Sequence, residues 1–201
     1  MNTEEYVHQQ TVVGLSHESD NERWSEGQRR FVRHISKYIG DFDVTLDCAC
    51  GDGVAMRELA SMNRAVIGMD IAEEKLQRAG SHAFYGDMHN LEDYPGYEFN
   101  AVLSSHTLEH AHDPGLVVDN FRNALLDGGL LFVVLPFPDP GTQNDSIHVG
   151  KYALGTHEDD EAKVVSFFTD RGFRLVESKR DDYREPELWL VLKKEHDVQG
   201  D

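Results

Sequence analysis

Acidic residues and glycines follow several short apolar runs of this 201-residue chain, and their types and positions suit a ligand site. Asp47 opens the segment Asp47-Cys-Ala-Cys-Gly-Asp-Gly53, Asp70 directly follows an apolar run, and Asp87 follows Gly86. Glycines let a backbone turn sharply and approach a ligand closely, and a helix after such a turn presents unpaired N–H groups. A carboxylate at a strand end can accept hydrogen bonds from two ribose hydroxyls. These features predict a nucleotide-like ligand.

A second chemical pattern is His106-Thr-Leu-Glu109-His110. Its H-x-x-E-H spacing also occurs on an inverted zinc-protease helix, where two histidines one turn apart share a metal and the glutamate acts as base. A five-residue pattern arises easily by accident in a chain with 11 histidines, so we do not predict a zinc peptidase, and no metal is assigned. An alternative left open is that His106, Glu109 and His110 hold a divalent ion.

The elements that must position these residues alternate between strand and helix patterns. Strands are predicted at residues 44–48, 65–69, 82–85, 99–104, 130–135, 173–178 and 188–193, and helices at 21–39, 53–62, 71–79, 114–126 and 159–170. Alternating strands and helices indicate parallel βαβ units, and the last two strands have no helix between them. The predicted fold class is α/β, a Rossmann-like doubly wound seven-stranded sheet, mostly parallel with one antiparallel C-terminal strand.

The composition and charge of the chain exclude some classes of binding partner. The chain has 19 Lys and Arg residues and 37 Asp and Glu residues, which gives a net charge of −18. This charge repels nucleic-acid phosphates and anionic lipid head groups. Cys48 and Cys50 are predicted to be free, because a C-x-C disulfide closes a strained ring and two thiols alone make a poor metal site. The N-terminal residues lack the apolar segment of a secretory signal, and no apolar run approaches the roughly 18 residues of a membrane span. We therefore expect a cytoplasmic protein with no nucleic-acid or membrane partner.

Five segments, in this order, resemble the class I S-adenosylmethionine-dependent methyltransferases, in particular the small-molecule branch that contains Leu-Glu-His. They are Leu46-Asp-Cys-Ala-Cys-Gly-Asp-Gly53, Ile67-Gly-Met-Asp70, Tyr85-Gly-Asp-Met88, Ser105-His-Thr-Leu-Glu-His-Ala-His-Asp-Pro114 and Leu125-Leu-Asp-Gly-Gly-Leu-Leu-Phe-Val-Val-Leu-Pro136. The resemblance covers about residues 44–136. It departs at Ala49, where the family usually has its first glycine, and a positive φ there would strain alanine.

The resemblance implies S-adenosylmethionine as cofactor, S-adenosylhomocysteine as product, and a role for each motif residue. Asp47 would orient the amino group of the cofactor, Asp70 would hold the ribose, and Asp87 would bind the adenine edge. The other cofactor-binding positions it implies are Ala49, Gly51 and Gly53 along the methionine portion, Ile71 and Met88 against the adenine, Ser104 and Ser105 beside the methyl group, and Trp24 on an N-terminal lid helix. Residues 1–40 are accordingly expected to form a tail and lid helix, and residues 41–201 the cofactor-binding domain, within one compact unit.

The implied activity is methyl transfer to a hydroxyl or amine of a small-molecule acceptor. A hydroxyl acceptor benefits from a general base, and histidine has a suitable pKa. His106, at the end of the fourth strand, is the first candidate, and His148, in the loop after the fifth strand, is the second. Two alternatives stay open: a non-catalytic protein that binds the cofactor, and a nicotinamide oxidoreductase, although Met56 stands where G-x-G-x-x-G needs its third small residue. The oligomeric state also stays open.

Overall fold

The structure is a computed structural model that describes residues 22–93, 98–139 and 148–196. The strands are β1 (Val44–Cys48), β2 (Ala65–Asp70), β3 (Ala83–Tyr85), β4 (Phe99–Ser105), β5 (Leu125–Pro136), β6 (Phe173–Asp181) and β7 (Glu187–Lys194). The α-helices of the described ranges are α1 (Glu22–Ile35), α2 (Val54–Ser61), α3 (Glu73–Ala79), α4 (Pro114–Ala124), α5 (Lys151–Leu154) and α6 (Glu161–Thr169). Short 3₁₀ segments occupy Ser36–Tyr38, Met88–Asp93 and Leu108–His110.

All seven strands form one sheet in the order β3-β2-β1-β4-β5-β7-β6. Strand β1 pairs in parallel with β2 and β4, while β7 runs antiparallel to both of its neighbours, β5 and β6. The predicted sheet, with its single antiparallel strand near the C-terminus, is confirmed. The strand order reverses direction between β1 and β4, and ligands of open α/β sheets bind outside the carboxyl ends of strands at such a point.

Strand β5 shows why both faces of the sheet are covered. Leu131, Val133 and Leu135 belong to the buried cluster that includes α4 and α6 side chains. The alternate residues Phe132 and Val134 belong to the cluster that includes α1 and α2 side chains. Successive side chains of a strand point to opposite faces, so a continuous apolar run is what a strand buried on both faces requires.

The fourth predicted helix ends earlier than its sequence pattern suggests. It stops at Ala124 rather than 126, and Leu125 already pairs with Phe99 of β4. The register then shifts so that Ala101 pairs with Leu130, and Gly128 within the shift has φ 73°. The glycines after position 126 therefore make an irregularity inside β5 instead of ending a helix. The buried Leu125 side chain favours the sheet over a further helical turn.

Other differences are small. The first helix ends at Ile35 and is followed by a 3₁₀ turn over Ser36–Tyr38, and its predicted first residue, Asn21, lies outside the described residues. The third helix begins at Glu73 because the preceding residues form a turn held by Asp70. The four-residue helix α5 was not predicted, because one turn is too short to show an apolar period.

Candidate functional site

The loop after β1 reverses direction through three left-handed residues. Ala49, Gly51 and Gly53 have φ values of 59°, 54° and 77°. The Cys50 N–H donates to the Met69 carbonyl oxygen at 2.9 Å, which fastens the loop to the end of β2. A left-handed alanine costs about 1–2 kcal/mol, so the strain predicted for Ala49 is present. Both cysteines are free and buried, as expected.

Asp70 joins this loop to the start of α3. One carboxylate oxygen accepts a hydrogen bond from the Gly51 N–H, and the other accepts one from the Ala72 N–H, each at 2.8 Å. The residue is only 8% exposed. A carboxylate fixed from both sides at the end of β2 has a defined orientation toward a ligand lying across the strand ends.

Asp47 is the most unusual acid of the site. It is buried at the end of β1, and its Oδ2 atom has no hydrogen-bond partner among the described residues. Burial and the nearby charge of Asp70 raise the pKa of Asp47 to about 8. A buried oxygen without a partner carries its full desolvation cost, so this position suits a ligand group that donates hydrogen bonds and carries positive charge.

The segment after β3 places Asp87 beside a pair of histidines. The Asp87 Oδ1 atom accepts from the His89 backbone N–H at 2.9 Å and lies 2.9 Å from His89 Nδ1. Burial raises the pKa of Asp87, but the contacts with His89 outweigh it and lower the pKa below its usual value. The His89 ring stacks on His112 at 3.9 Å. The two histidine rings pack against each other, and His89 in addition fixes Asp87. Met88 is buried, and Ile71 is partly buried against the same core cluster.

Strand β4 ends in two serines, Ser104 and Ser105, at the same edge of the sheet. Ser104 is fully buried between Cys48 of β1 and Val133 of β5 in the sheet register. Within the described ranges, neither the Ser104 hydroxyl nor the Ser105 hydroxyl has a hydrogen-bond partner. The cofactor positions proposed from the sequence, except Trp24, thus lie at or just beyond the carboxyl ends of β1 to β4 or in the loop after β1.

His106 follows β4 in a left-handed conformation, with φ 53°. Its Nε2 lies 3.1 Å from Glu187 Oε1, and its Nδ1 lies 3.3 Å from Glu109 Oε1. Burial lowers the pKa of His106, but the contacts with Glu109 and Glu187 outweigh it and raise the pKa to about 9. A protonated imidazole cannot accept a proton, so a general-base role of His106, which stays a prediction, requires the ring to lose this proton first. Its protonated ring is suited to donating hydrogen bonds.

The other side of His106 is formed by α1 and the start of β7. The Trp24 ring meets the His106 ring edge to face at 5.2 Å, which places Trp24 beside His106. The Arg184 guanidinium lies 5.0 Å from the Trp24 ring, and its Nε donates to Glu187 Oε1 at 2.6 Å. A Cβ on Gly27 would overlap the Arg184 side chain, so glycine lets the arginine cross α1.

Sequence reasoning missed Arg184 and Glu187. Neither belongs to a motif, and both fall between the predicted strands 173–178 and 188–193. The available signal is the direction of β7: because an antiparallel strand begins where its parallel neighbours end, its first residue reaches the site.

His148 lies on the loop after β5, next to His110. The two rings meet edge to face at 4.9 Å, and His148 Nδ1 lies 2.7 Å from Asp139 Oδ2. The Gly150 N–H donates to the Glu109 carbonyl oxygen at 2.8 Å, which docks this loop on the segment after β4.

The alternative metal trio His106, Glu109 and His110 needs correction. The 3₁₀ turn Leu108–His110 begins after His106, so the two histidines do not share a helix. Among the described residues, Glu109 and His110 instead form a cluster with His148, while His106 forms one with Glu185 and Glu187.

Comparison with known proteins agrees with this geometry. Residues 46–133 match the family model described as "Methyltransferase domain". A ubiquinone biosynthesis O-methyltransferase of Psychrobacter cryohalolentis is 29% identical over 140 residues, covering 60% of this chain and 52% of the relative. The protein of the same description from Colwellia psychrerythraea is 25% identical over 178 residues, covering 76% and 70%. The chain thus spans about half the length of the first of these relatives.

Solved structures share the fold at low identity. The 1,6-didemethyltoxoflavin-N1-methyltransferase of Burkholderia thailandensis, with its substrate and S-adenosylhomocysteine bound, superposes with a TM-score of 0.73 at 16% identity, covering 98% of this chain and 92% of that one. The N-methyltransferase NodS of Bradyrhizobium japonicum, also with S-adenosylhomocysteine, gives 0.68 at 16% identity, covering 95% and 100%. The [4+2]-cyclase SpnF gives 0.67 at 13% identity, covering 84% and 81%.

The fold, the order of the motifs and the matched segment agree on one class. Residues 46–133 match a methyltransferase domain, the sheet is similar to that of class I S-adenosylmethionine-dependent methyltransferases, and the buried Asp47 oxygen, the fixed Asp70 carboxylate and the glycine loop fit that cofactor. No helix of the described residues is long and apolar enough to cross a membrane.

Proposed function

We propose that this protein transfers the methyl group of S-adenosylmethionine to a hydroxyl or amine of a small molecule. The observation that carries the proposal is Asp47, whose buried carboxyl group has an oxygen without a partner among the described residues. An ammonium group would supply the missing donor and positive charge. Asp70 beside it, with a fixed orientation, is suited to a ribose.

The cofactor, when bound, supplies an electrophilic methyl group on a positively charged sulfur. Asp47 would hold its ammonium group, Asp70 its ribose, and Asp87 with Met88 its adenine. Ser104 and Ser105 would line the cleft beside the methyl group. Most of the acceleration then comes from positioning, because holding two reactants in line replaces an encounter in solution.

The acceptor would meet His106, Trp24 and the first residues of β7. The His106 imidazolium can donate a hydrogen bond that orients an acceptor oxygen. A neighbouring indole ring provides an apolar wall beside it. The net charge of −18 argues against a nucleic-acid acceptor.

Calorimetric titration with S-adenosylhomocysteine, with NADH as the control ligand, tests the cofactor assignment. We expect micromolar binding of the first ligand alone. Asp70→Ala should weaken it at least tenfold, while Asp119→Asn, on the exposed side of α4, should not change it. Tight binding of NADH by the folded protein would instead favour the oxidoreductase alternative.

Mass spectrometry of reactions with S-adenosylmethionine and a panel of phenols, alcohols and amines tests the transfer. A methylated product of one acceptor class supports the proposal. Cofactor binding without transfer to any acceptor of the panel would favour the non-catalytic alternative, to which the strained Ala49 loop would then be relevant.

A further inference from the structure

We propose that Glu109, His110 and His148 form a binding site for a divalent transition-metal ion. Each residue offers one ligand atom, and these atoms lie within 4.8 Å of one another. Glu109 and His110 belong to the 3₁₀ turn after β4, and His148 belongs to the loop after β5. The inference goes beyond the proposed methyl transfer and does not depend on it.

The Glu109 side chain points to a missing ligand. It is completely buried, and neither carboxylate oxygen has a hydrogen-bond partner among the described residues. Glu109 Oε1 lies 3.3 Å from His106 Nδ1, but the same imidazolium also faces Glu187 at 3.1 Å, so Glu109 shares this positive charge with a second carboxylate. Buried carboxylates are normally paired or coordinate a metal, and a bound cation would supply the partner that Glu109 Oε2 lacks among the described residues.

His148 is oriented as a metal ligand is. Asp139, itself largely buried, lies 2.7 Å from His148 Nδ1 and can accept a proton from it, and in the neutral tautomer that makes this hydrogen bond Nε2 is the nitrogen that can bind a metal. Metal-binding histidines almost always donate their second N–H to a carboxylate or carbonyl in this way. The His110 ring stands beside the His148 ring at 4.9 Å, so two imidazoles converge next to the carboxylate.

The backbone already holds the two loops together. The Gly150 N–H donates to the Glu109 carbonyl oxygen at 2.8 Å, and a Cβ at Gly150 would lie 2.5 Å from the Leu108 carbonyl oxygen. Glycine therefore allows an approach that another residue would prevent. An ion bound by side chains from both loops would strengthen this preformed contact.

The second cluster, His106 with Glu185 and Glu187, is less suited to an ion. Glu187 Oε1 accepts from Arg184 Nε at 2.6 Å and lies 3.1 Å from His106, while Oε2 accepts from the Trp189 indole N–H at 2.8 Å. A cation there would have to displace a buried guanidinium. Arg184 therefore already gives Glu187 a buried positive partner.

The donor set defines the ion. Two imidazole nitrogens and one carboxylate suit Zn²⁺ and similar transition metals, whereas Mg²⁺ and Ca²⁺ prefer oxygen ligands. Three protein ligands leave a fourth tetrahedral position for water or a ligand. The inference reassigns His148 from proton transfer to metal ligation.

The test is a calorimetric titration of the chelator-treated, dialysed full chain with Zn²⁺, together with its metal content by mass spectrometry. We expect one Zn²⁺ per chain, with affinity lowered at least tenfold in His148→Ala and about 10- to 100-fold in Asp139→Asn. His82→Ala, in the exposed turn before β3, is the matched control and should bind as the wild type does. Glu185→Ala should also leave affinity unchanged.

Several outcomes would overturn the proposal. They are no binding by the wild type, unchanged affinity in both His148→Ala and His110→Ala, and loss of binding in Glu185→Ala alone. Circular dichroism verifies that each variant is folded, and His148 is a loop residue whose side chain is about a quarter exposed. S-adenosylhomocysteine titration of the same samples reports separately on the proposed function, so the two failures are distinguishable.

Discussion

Ala49 occupies a left-handed conformation that its Cβ opposes. Ala49→Gly is expected to raise the free energy of unfolding by up to about 1 kcal/mol, because the strain relieved exceeds the extra chain entropy that glycine loses on folding. Urea denaturation measures the change. The control Ala60→Gly, on the exposed face of α2, should instead lose about 1 kcal/mol, and equal losses at both positions would show that residue 49 is unstrained.

Asp47 couples stability to pH. The pKa of Asp47 is about 8 in the folded state, above the value of about 3.9 in an unfolded chain. Its contribution to the free energy of unfolding is therefore fully present below about pH 4 and is lost as the pH rises through about 8. Asp47→Asn removes this dependence. The ligand-free variant should therefore gain stability relative to the wild type as pH rises, by at most about 1.4 kcal/mol per pH unit.

Urea unfolding of both proteins between about pH 5 and about pH 8 measures this gain. Asp119→Asn serves as the surface control and should follow the wild type. The same Asp47→Asn substitution should weaken S-adenosylhomocysteine binding, because the amide cannot neutralise an ammonium group. A variant whose stability tracks the wild type at every pH would contradict the assignment.

Helix α1 packs closely on the turn before β7, where the Arg184 side chain crosses the helix at Gly27. Alanine normally stabilises a helix interior by about 1 kcal/mol relative to glycine, yet a Cβ on Gly27 would overlap Arg184. Gly27→Ala is therefore expected to lower the free energy of unfolding by about 1–3 kcal/mol, the usual cost of overpacking. In an Arg184→Ala background the sign should reverse to a gain of about 1 kcal/mol. A thermodynamic cycle of the four proteins gives the coupling, and additivity would disprove the clash.

The elements themselves were largely predictable, because strands buried on both faces show continuous apolar runs. The apolar run Leu130–Leu135 correctly predicted a strand inside the sheet, and the glycines and aspartates that follow the apolar runs marked the ends of the strands. The end of α4 was not predictable, since the pairing of Leu125 with Phe99 is a tertiary preference. Glu187 and Arg184 were missed for a related reason. Their place in the site depends on strand order, which local sequence does not encode.

The whole molecule carries 18 more acidic than basic charges. Repulsion among them destabilises the compact state, and salt screens it. Raising NaCl from about 0.1 M to about 1 M shortens the screening length from about 10 Å to about 3 Å. The urea midpoint at neutral pH should therefore rise with NaCl. Near the sequence pI of 4.9 the net charge vanishes, so the gain should disappear there, and an equal gain at both pH values would rule out charge repulsion.

Because β7 runs antiparallel to β5, residues from distant parts of the chain meet at the site. The side chains proposed to hold the methyl donor come mostly from residues 47–105, whereas Trp24 and Glu187, which flank His106, come from opposite ends of the described chain. Under the proposed function, donor binding and acceptor choice would therefore depend on different segments of the chain, which can change independently. A chimera that exchanged both outer segments with a relative should inherit its acceptor from one parent and its donor affinity from the other.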